Sequence, residues 1–240
     1  MQPNYARRRR VFSILIGASL VCVVAIGTLK IPLLSGTQKK NQPVAPSDES
    51  TYAINALNTL SVKGRAPKTG YNRSQFGDGW ALFGGCDTRN IILFRDMRNT
   101  KVADDNCTVL KGTLSDPYTG KAIEFTRGSS SSNDVQIDHV VALSDAWQKG
   151  AQNLSPAMRQ AFANDGLNLL AVDGPANQQK SDGDAATWLP SNKDFRCRYI
   201  ARQIAVKKQY KLWITSSEKE AMLRVLSTCP DQRLPIVDKK

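Results

Sequence analysis

The sequence predicts an α+β fold, and three observations carry that prediction. Residues 136–143 (QIDHVVAL) and 167–172 (LNLLAV) are short apolar runs of strand length. Residues 175–182 (PANQQKSD) follow the second run, with Pro175 suited to the first turn of a short helix. Residues 191–226 contain two stretches with apolar positions at helical spacing. The expected architecture is a β–β–α unit embedded in a mixed domain with C-terminal helices, preceded by one N-terminal transmembrane helix.

The chain opens with a basic tail, residues 1–10, ending in Arg7–Arg10. Residues 11–29 (VFSILIGASLVCVVAIGTL) carry no charge. As a helix they reach about 28 Å at ~1.5 Å per residue, close to the ~30 Å hydrocarbon core of a bilayer. The arginines should stay cytoplasmic and send the rest of the chain outward. The segment reads as an uncleaved signal anchor, which would make the protein a single-pass membrane protein with an extracellular domain. The alternative is a long cleavable signal peptide and a secreted product. The run exceeds an ordinary signal-peptide core, and no clean A-x-A site follows it. Cys22 lacks the small preceding residue of a lipoprotein site and reads as an apolar helix residue. Residues 30–50 are polar with three prolines, an extended linker.

Residues 51–240 are expected to form a single domain. A helix is expected across 50–62, where Ile54, Leu57 and Leu60 recur at helical spacing. Residues 62–80 form a basic, Gly-containing loop. NIILF (90–94), CTVLKGTL (107–114) and KAIEFTR (121–127) read as strands, and DPYTG (116–120) as a turn. GSSSSND (128–134) reads as a loop; no lysine follows it at phosphate-loop spacing. SPAMRQAFAND (155–165) reads as a helix lying between the two motif strands. A longer helix is expected within 191–210. Its basic residues, Arg196, Arg198, Arg202, Lys207 and Lys208, do not fall on one stripe. The last helix, within 215–229, is expected to start from a Ser217–Glu220 capping box. Trp80, Trp147, Trp188 and Trp213 read as core or rim anchors.

The formal charge is +12. Seven of the basic residues lie within the first forty positions, where no acid occurs; beyond them 26 basic residues face 21 acidic ones. That modest excess suits a polyanionic partner and equally suits an ordinary solvated surface. Four cysteines lie beyond the apolar segment: Cys86, Cys107, Cys197 and Cys229. Outside the membrane an even count favours disulfides. Of the three possible pairings the expected one is local in sequence, Cys86–Cys107 with Cys197–Cys229. No C-x-x-C pair supports a zinc site in their place.

The chemistry concentrates in 136–182. His139 is the only histidine of the chain, and Asp138 precedes it directly. Asn168 and Asn177 follow nine residues apart, the second within N-x-x-K-S-D (Asn177, Lys180, Ser181, Asp182). This pattern resembles the ββα-metal motif of the HNH endonucleases. The upstream pieces GCDTRNIIL and GTLSDPYTGKAIEFTRG are similar to a secreted bacterial branch of that superfamily, related to the GmrSD-type C-terminal domain. With them the resemblance spans roughly 50–230. The final histidine that gives the superfamily its name is Asn177 here.

The resemblance implies metal-dependent hydrolysis of phosphodiesters, in DNA rather than RNA, leaving 5′-phosphate ends. His139 would be the general base, because a neutral imidazole accepts a proton from water near neutral pH. Asp138 and Asn177 would hold a divalent cation, Mg²⁺ or Mn²⁺, through hard oxygen ligands. Asn168 would tie the histidine loop to the motif. Lys180, Arg89 and Arg127 would meet the nucleic-acid backbone. Neighbours on a strand point to opposite faces, so Asp138 and His139 can share a site only where the strand bends or ends. No protein partner is implied. The competing readings are a non-catalytic extracellular nucleic-acid-binding protein and a serine hydrolase. The second would require a G-x-S-x-G elbow, which the sequence lacks.

Overall fold

The structure, a computed structural model, describes residues 51–128 and 133–235. The expected basic tail (1–10), membrane helix (11–29) and linker (30–50) lie outside these residues, as do 129–132 of the serine loop. No described helix is long and apolar enough to cross a membrane.

Helix α1 (Ala53–Thr59) buries Ala53, Ala56 and Leu57. A long loop then runs through a 3₁₀ turn at Arg73–Phe76, where the Asn72 side chain accepts from the Ser74 amide. A small hairpin follows, β1 (Leu82–Phe83) with β2 (Cys86–Asp87). It leads into α2 (Thr88–Asp96). The expected strand at 90–94 is therefore helix. The Asp87 side chain caps it by accepting from the Asn90 amide, and Ile92 and Leu93 turn inward while Ile91 and Phe94 stay outside. Four consecutive apolar residues had masked a helical face.

β3 (Met97–Val102), β4 (Val109–Ser115) and β5 (Ala122–Thr126) form an antiparallel sheet in that order. The DPYTG turn joins β4 to β5, with Asp116 accepting from the Thr119 amide and hydroxyl. β3 had no counterpart among the expected elements.

The β–β–α unit consists of β6 (Val135–His139), β7 (Leu169–Asp173) and α5 (Gly174–Lys180). β6 and β7 pair antiparallel, with Val135 opposite Asp173 and His139 opposite Leu169. The run 136–143 is divided: the strand stops at His139 and Leu143 opens α3 (Leu143–Gln148). α4 (Pro156–Asn164) completes the insertion between the strands, capped by Ser155. The turn from β7 into α5 is tight. A Cβ on Gly174 would stand 2.1 Å from the Asn133 carbonyl oxygen, so only glycine fits.

One face of the β6–β7 pair sends Val135, Ile137, Leu169 and Ala171 into a cluster with Ile92, Leu93 and Leu114. The other sends Leu170 and Val172 into a larger core with α1, α6 (Arg196–Gln209) and α7 (Ser216–Leu226). The capping box of α7 is Thr215 with Glu218, two residues earlier than expected. The disulfides pair Cys86 with Cys107 and Cys197 with Cys229, the sequence-local arrangement.

A buried ion network ties four segments together. Lys149, fully buried, lies 2.7 Å from Asp145, 2.7 Å from Asp184 and 2.6 Å from Glu218. Lys207, also fully buried, reaches Glu218 at 2.8 Å and Asp145 at 3.3 Å. Arg65 closes it from the loop, 3.0 Å from Asp145 and 2.6 Å from Asp184. Three cations thus meet three carboxylates. Burial alone would lower the Lys207 pKa, but Glu218 and Asp145 outweigh it and push it up. Removing one buried cation strands charge that water cannot reach. Lys149→Ala is therefore expected to cost about 3–5 kcal/mol in urea unfolding. A loss under about 1 kcal/mol would show that the network does not depend on that ammonium.

Candidate active site

The site grows from the end of β6. Side chains alternate along the strand, so His139 shares the face of Val135 and Ile137, and Asp138 shares that of Gln136. Each is met by a different part of the chain.

On the His139 side stands the last turn of α4. The final carbonyls of a helix have no intrahelical partner. The side chains of the β–β–α unit take two of them. His139 Nε2 lies 2.9 Å from the Ala163 carbonyl, and Asn168 Nδ2 is 3.5 Å from that of Phe162. A carbonyl can only accept, so Nε2 carries the proton and Nδ1 keeps its lone pair. Nδ1 has no protein partner among the described contacts. Trp80 stacks on the imidazole, with ring centroids 5.9 Å apart and planes 10° apart.

Asn168 is fully buried. Its Oδ1 accepts from the Val141 amide at 2.9 Å, its Nδ2 donates to the Val141 carbonyl at 3.3 Å, and its own carbonyl accepts from Val140. It thus holds the backbone just after His139.

On the Asp138 side stands α5. Lys180 Nζ is 2.9 Å from Asp138 Oδ1 and 3.0 Å from the His139 carbonyl. The Tyr118 hydroxyl donates to Asp138 Oδ2. One turn earlier on α5, Asn177 Nδ2 donates to Gln136 Oε1 at 2.9 Å. This leaves the Asn177 amide oxygen without a protein donor among the described contacts.

Because β6 ends at His139, both sides open into one cleft of about 610 Å³. Asp138, His139 and Asn177 line it together with Arg73, Trp80 and Arg89. Arg89 is half-buried there. Burial and then Arg127 lower its pKa, with Asp87 opposing, so its charge is undercompensated and attracts an anion.

Two expected phosphate contacts stand elsewhere. Lys180 is 2 % exposed and engaged with Asp138, because a buried ammonium needs its counter-charge. Arg127 donates to the Val109 carbonyl and to Asn90 Oδ1, holding the end of β5 against α2. Neither lines the cleft. Arg73 and Trp80 were not anticipated as site residues. Their signal was the basic loop at 62–80, whose path over His139 no periodicity reveals.

Whether these residues suit a divalent cation turns on the donors. No group of three or more His, Cys, Asp or Glu gathers for a metal among the described residues. A closed cage of such side chains is therefore absent there. The cleft does offer the Asn177 amide oxygen and the Asp138 carboxylate, the latter shared with Lys180 and Tyr118. That sparse oxygen set suits a cation that keeps most of its waters, as Mg²⁺ does.

A strand pair and helix presenting a fixed imidazole beside an amide and a carboxylate define a nuclease-type site. The family model for the C-terminal domain of GmrSD restriction endonucleases matches residues 87–225, and the chain belongs to this HNH-related family. It is also 38% identical over 189 residues to a protein of Arthroderma benhamiae named "Uncharacterized secreted protein", covering 78% of this chain and 88% of that relative. No solved structure matches the chain.

Burial lowers the His139 pKa to about 4; the Ala163 carbonyl and Asp138 oppose that shift, and Arg73 and Lys180 add to it. The folded value lies below the unfolded one, ~6.5, so the unfolded chain binds the extra proton between them. Stability is full above about pH 6.5 and falls as pH drops towards 4, by up to about 3 kcal/mol. Being the sole imidazole, its NMR signal in metal-free protein needs no assignment. It is expected to titrate near 4–5, and a midpoint at 6.5 would contradict the buried, neutral ring.

Proposed function

We propose that the protein is an HNH-type endonuclease that hydrolyses phosphodiester bonds of nucleic acid, DNA in preference to RNA, outside the cell. The observation that carries this reading is the locked imidazole. With Nε2–H on the Ala163 carbonyl, the free Nδ1 belongs to a ring lining the same cleft as Asn177 and Arg89. Family membership supports the nuclease class. Two disulfides and the secreted relative support an extracellular setting. The apolar segment 11–29 would deliver the domain there, whether it stays as an anchor or is removed.

In this reading His139 Nδ1 takes a proton from the water that attacks phosphorus. The imidazolium formed is steadied by the Ala163 carbonyl and the nearby Asp138 carboxylate. Trp80 and Asn168 keep the ring and its backbone from turning away. Arg89 and Arg73 bind the phosphate oxygens and orient the ester for attack opposite the departing 3′ oxygen. Asn177 and Asp138 would hold a divalent cation, Mg²⁺ or Mn²⁺, whose charge stabilises the crowded negative oxygens of the transition state. Lys180 keeps Asp138 ionised and in place.

The test is plasmid cleavage by purified protein with Mg²⁺ or Mn²⁺, and with EDTA. Wild type should cut only with metal. His139→Ala should lose about 100- to 10,000-fold in rate, the usual worth of a general base, with its circular dichroism unchanged. A folded His139→Ala variant that cuts at the wild-type rate would remove His139 from the mechanism. Asn177→Ala should raise the half-saturating Mg²⁺ concentration by about tenfold or more, since even outer partners of a metal are worth 10–100-fold. An unchanged metal requirement would exclude its amide as a ligand.

A further inference from the structure

A second concavity, of about 530 Å³, lies between the segment after α5 and helices α6 and α7. Trp188, Lys193, Arg196, Arg224 and Val225 are among its walls, and no acidic residue lines it. Lys193 and Arg224 are exposed, and no described ion pair or hydrogen bond holds either side chain. Arg196 donates Nε to the Pro190 carbonyl at 2.8 Å, which fixes that cation in the wall. Their acidic chain neighbours, Asp194 and Glu220, stand outside the lining. Three cations therefore share a groove with no counter-charge of its own.

The groove continues from the cleft. Ser181 and Asp182 line the cleft, and the groove begins at Ala185, at most about 10 Å further along an extended chain. Trp188 belongs to the groove wall and meets Tyr118 edge-on, with ring centroids 4.9 Å apart. Tyr118 in turn donates to Asp138. The cationic groove and the candidate active site thus share one wall.

We propose that this groove binds the phosphate backbone of the nucleic-acid strand that occupies the cleft, extending the contact beyond the scissile bond. The proposal rests on the nuclease reading. The repeating negative charge of a phosphodiester chain complements Lys193, Arg196 and Arg224, and the segment 181–189 is the path between the two depressions. Such contacts bind without reading sequence.

The experiment compares Lys193→Glu/Arg224→Glu with a control of equal net charge, Lys101→Glu/Lys111→Glu on the β3–β4 sheet. Binding of long single-stranded DNA is measured in EDTA across salt concentrations. Cleavage of a short oligonucleotide, sized to fill the cleft alone, is measured with Mg²⁺. The groove variant should bind long DNA at least about tenfold more weakly than the control. Its log–log salt slope should be shallower by about 2, close to one per lost phosphate contact. Its kcat/KM on the short oligonucleotide should match the control. Equal affinities and slopes for the two variants would overturn the groove while leaving the nuclease reading intact. A wild-type protein that neither binds nor cuts DNA would overturn both. Should the reversed charges impair folding, Lys193→Gln/Arg224→Gln carries the same comparison with a smaller expected change.

Discussion

A strand cannot aim two neighbouring side chains at one point, and the rest of this site is arranged around that constraint. Asp138 and His139 leave β6 on opposite faces, opposite Leu170 and Leu169 of β7. The conflict is resolved by ending the strand at His139, where the two faces open into one cleft. Each face then receives its own support. α5 brings Lys180 to Asp138, and α4 brings the Ala163 carbonyl to His139. The insertion between the strands is thus part of the machinery. Its helix ends with unpaired carbonyls, and the imidazole and Asn168 are the donors that satisfy them.

The parts of this arrangement written locally were legible. Asp138, His139, Asn168 and Asn177 lie in one 47-residue motif, 136–182, and the three segments carrying them form the two strands and helix expected. The serine–proline start of α4 and the local disulfide pairing were legible for the same reason. What failed depended on partners remote in sequence. Residues 90–94 have a strand-like composition, but Asp87 caps them and the β6–β7 face receives Ile92 and Leu93, so a helix forms. Lys180 looks like a phosphate ligand until Asp138, 42 positions away, takes its charge. Tyr118 reads as a turn residue, yet its ring is buried in the core and its hydroxyl meets the same carboxylate.

The ion network shows the same limit on a larger scale. Arg65, Asp145, Lys149, Asp184, Lys207 and Glu218 come from separate stretches, and only Asp145 and Lys149 are helix neighbours. Lys207 looked like one more solvated base on the 191–210 helix; it is fully buried. Burying such a group is costly, so its partners must be placed well. That demand fixes how α3, α6 and α7 meet. The same stretch of chain serves the cleft, because Ser144 beside Asp145 lines it and donates to Asp182 at 3.0 Å.

The cleft's charge balance bears on how a cation would be held. Its two carboxylates already have lysines: Asp138 has Lys180 at 2.9 Å, and Asp182 has Lys68 at 3.3 Å. Its guanidiniums, Arg73 and Arg89, have no carboxylate within ion-pair distance among the described residues. The empty cleft therefore favours an anion over a divalent cation. Mg²⁺ is commonly bound by one or two protein oxygens together with the phosphates of a substrate. On the nuclease reading, the phosphodiester arrives first at the arginines and supplies the negative charge that the protein has spent on its lysines. The cation then binds between that phosphate and the Asn177 and Asp138 oxygens, so metal and substrate affinities rise together by the reciprocity that linkage demands.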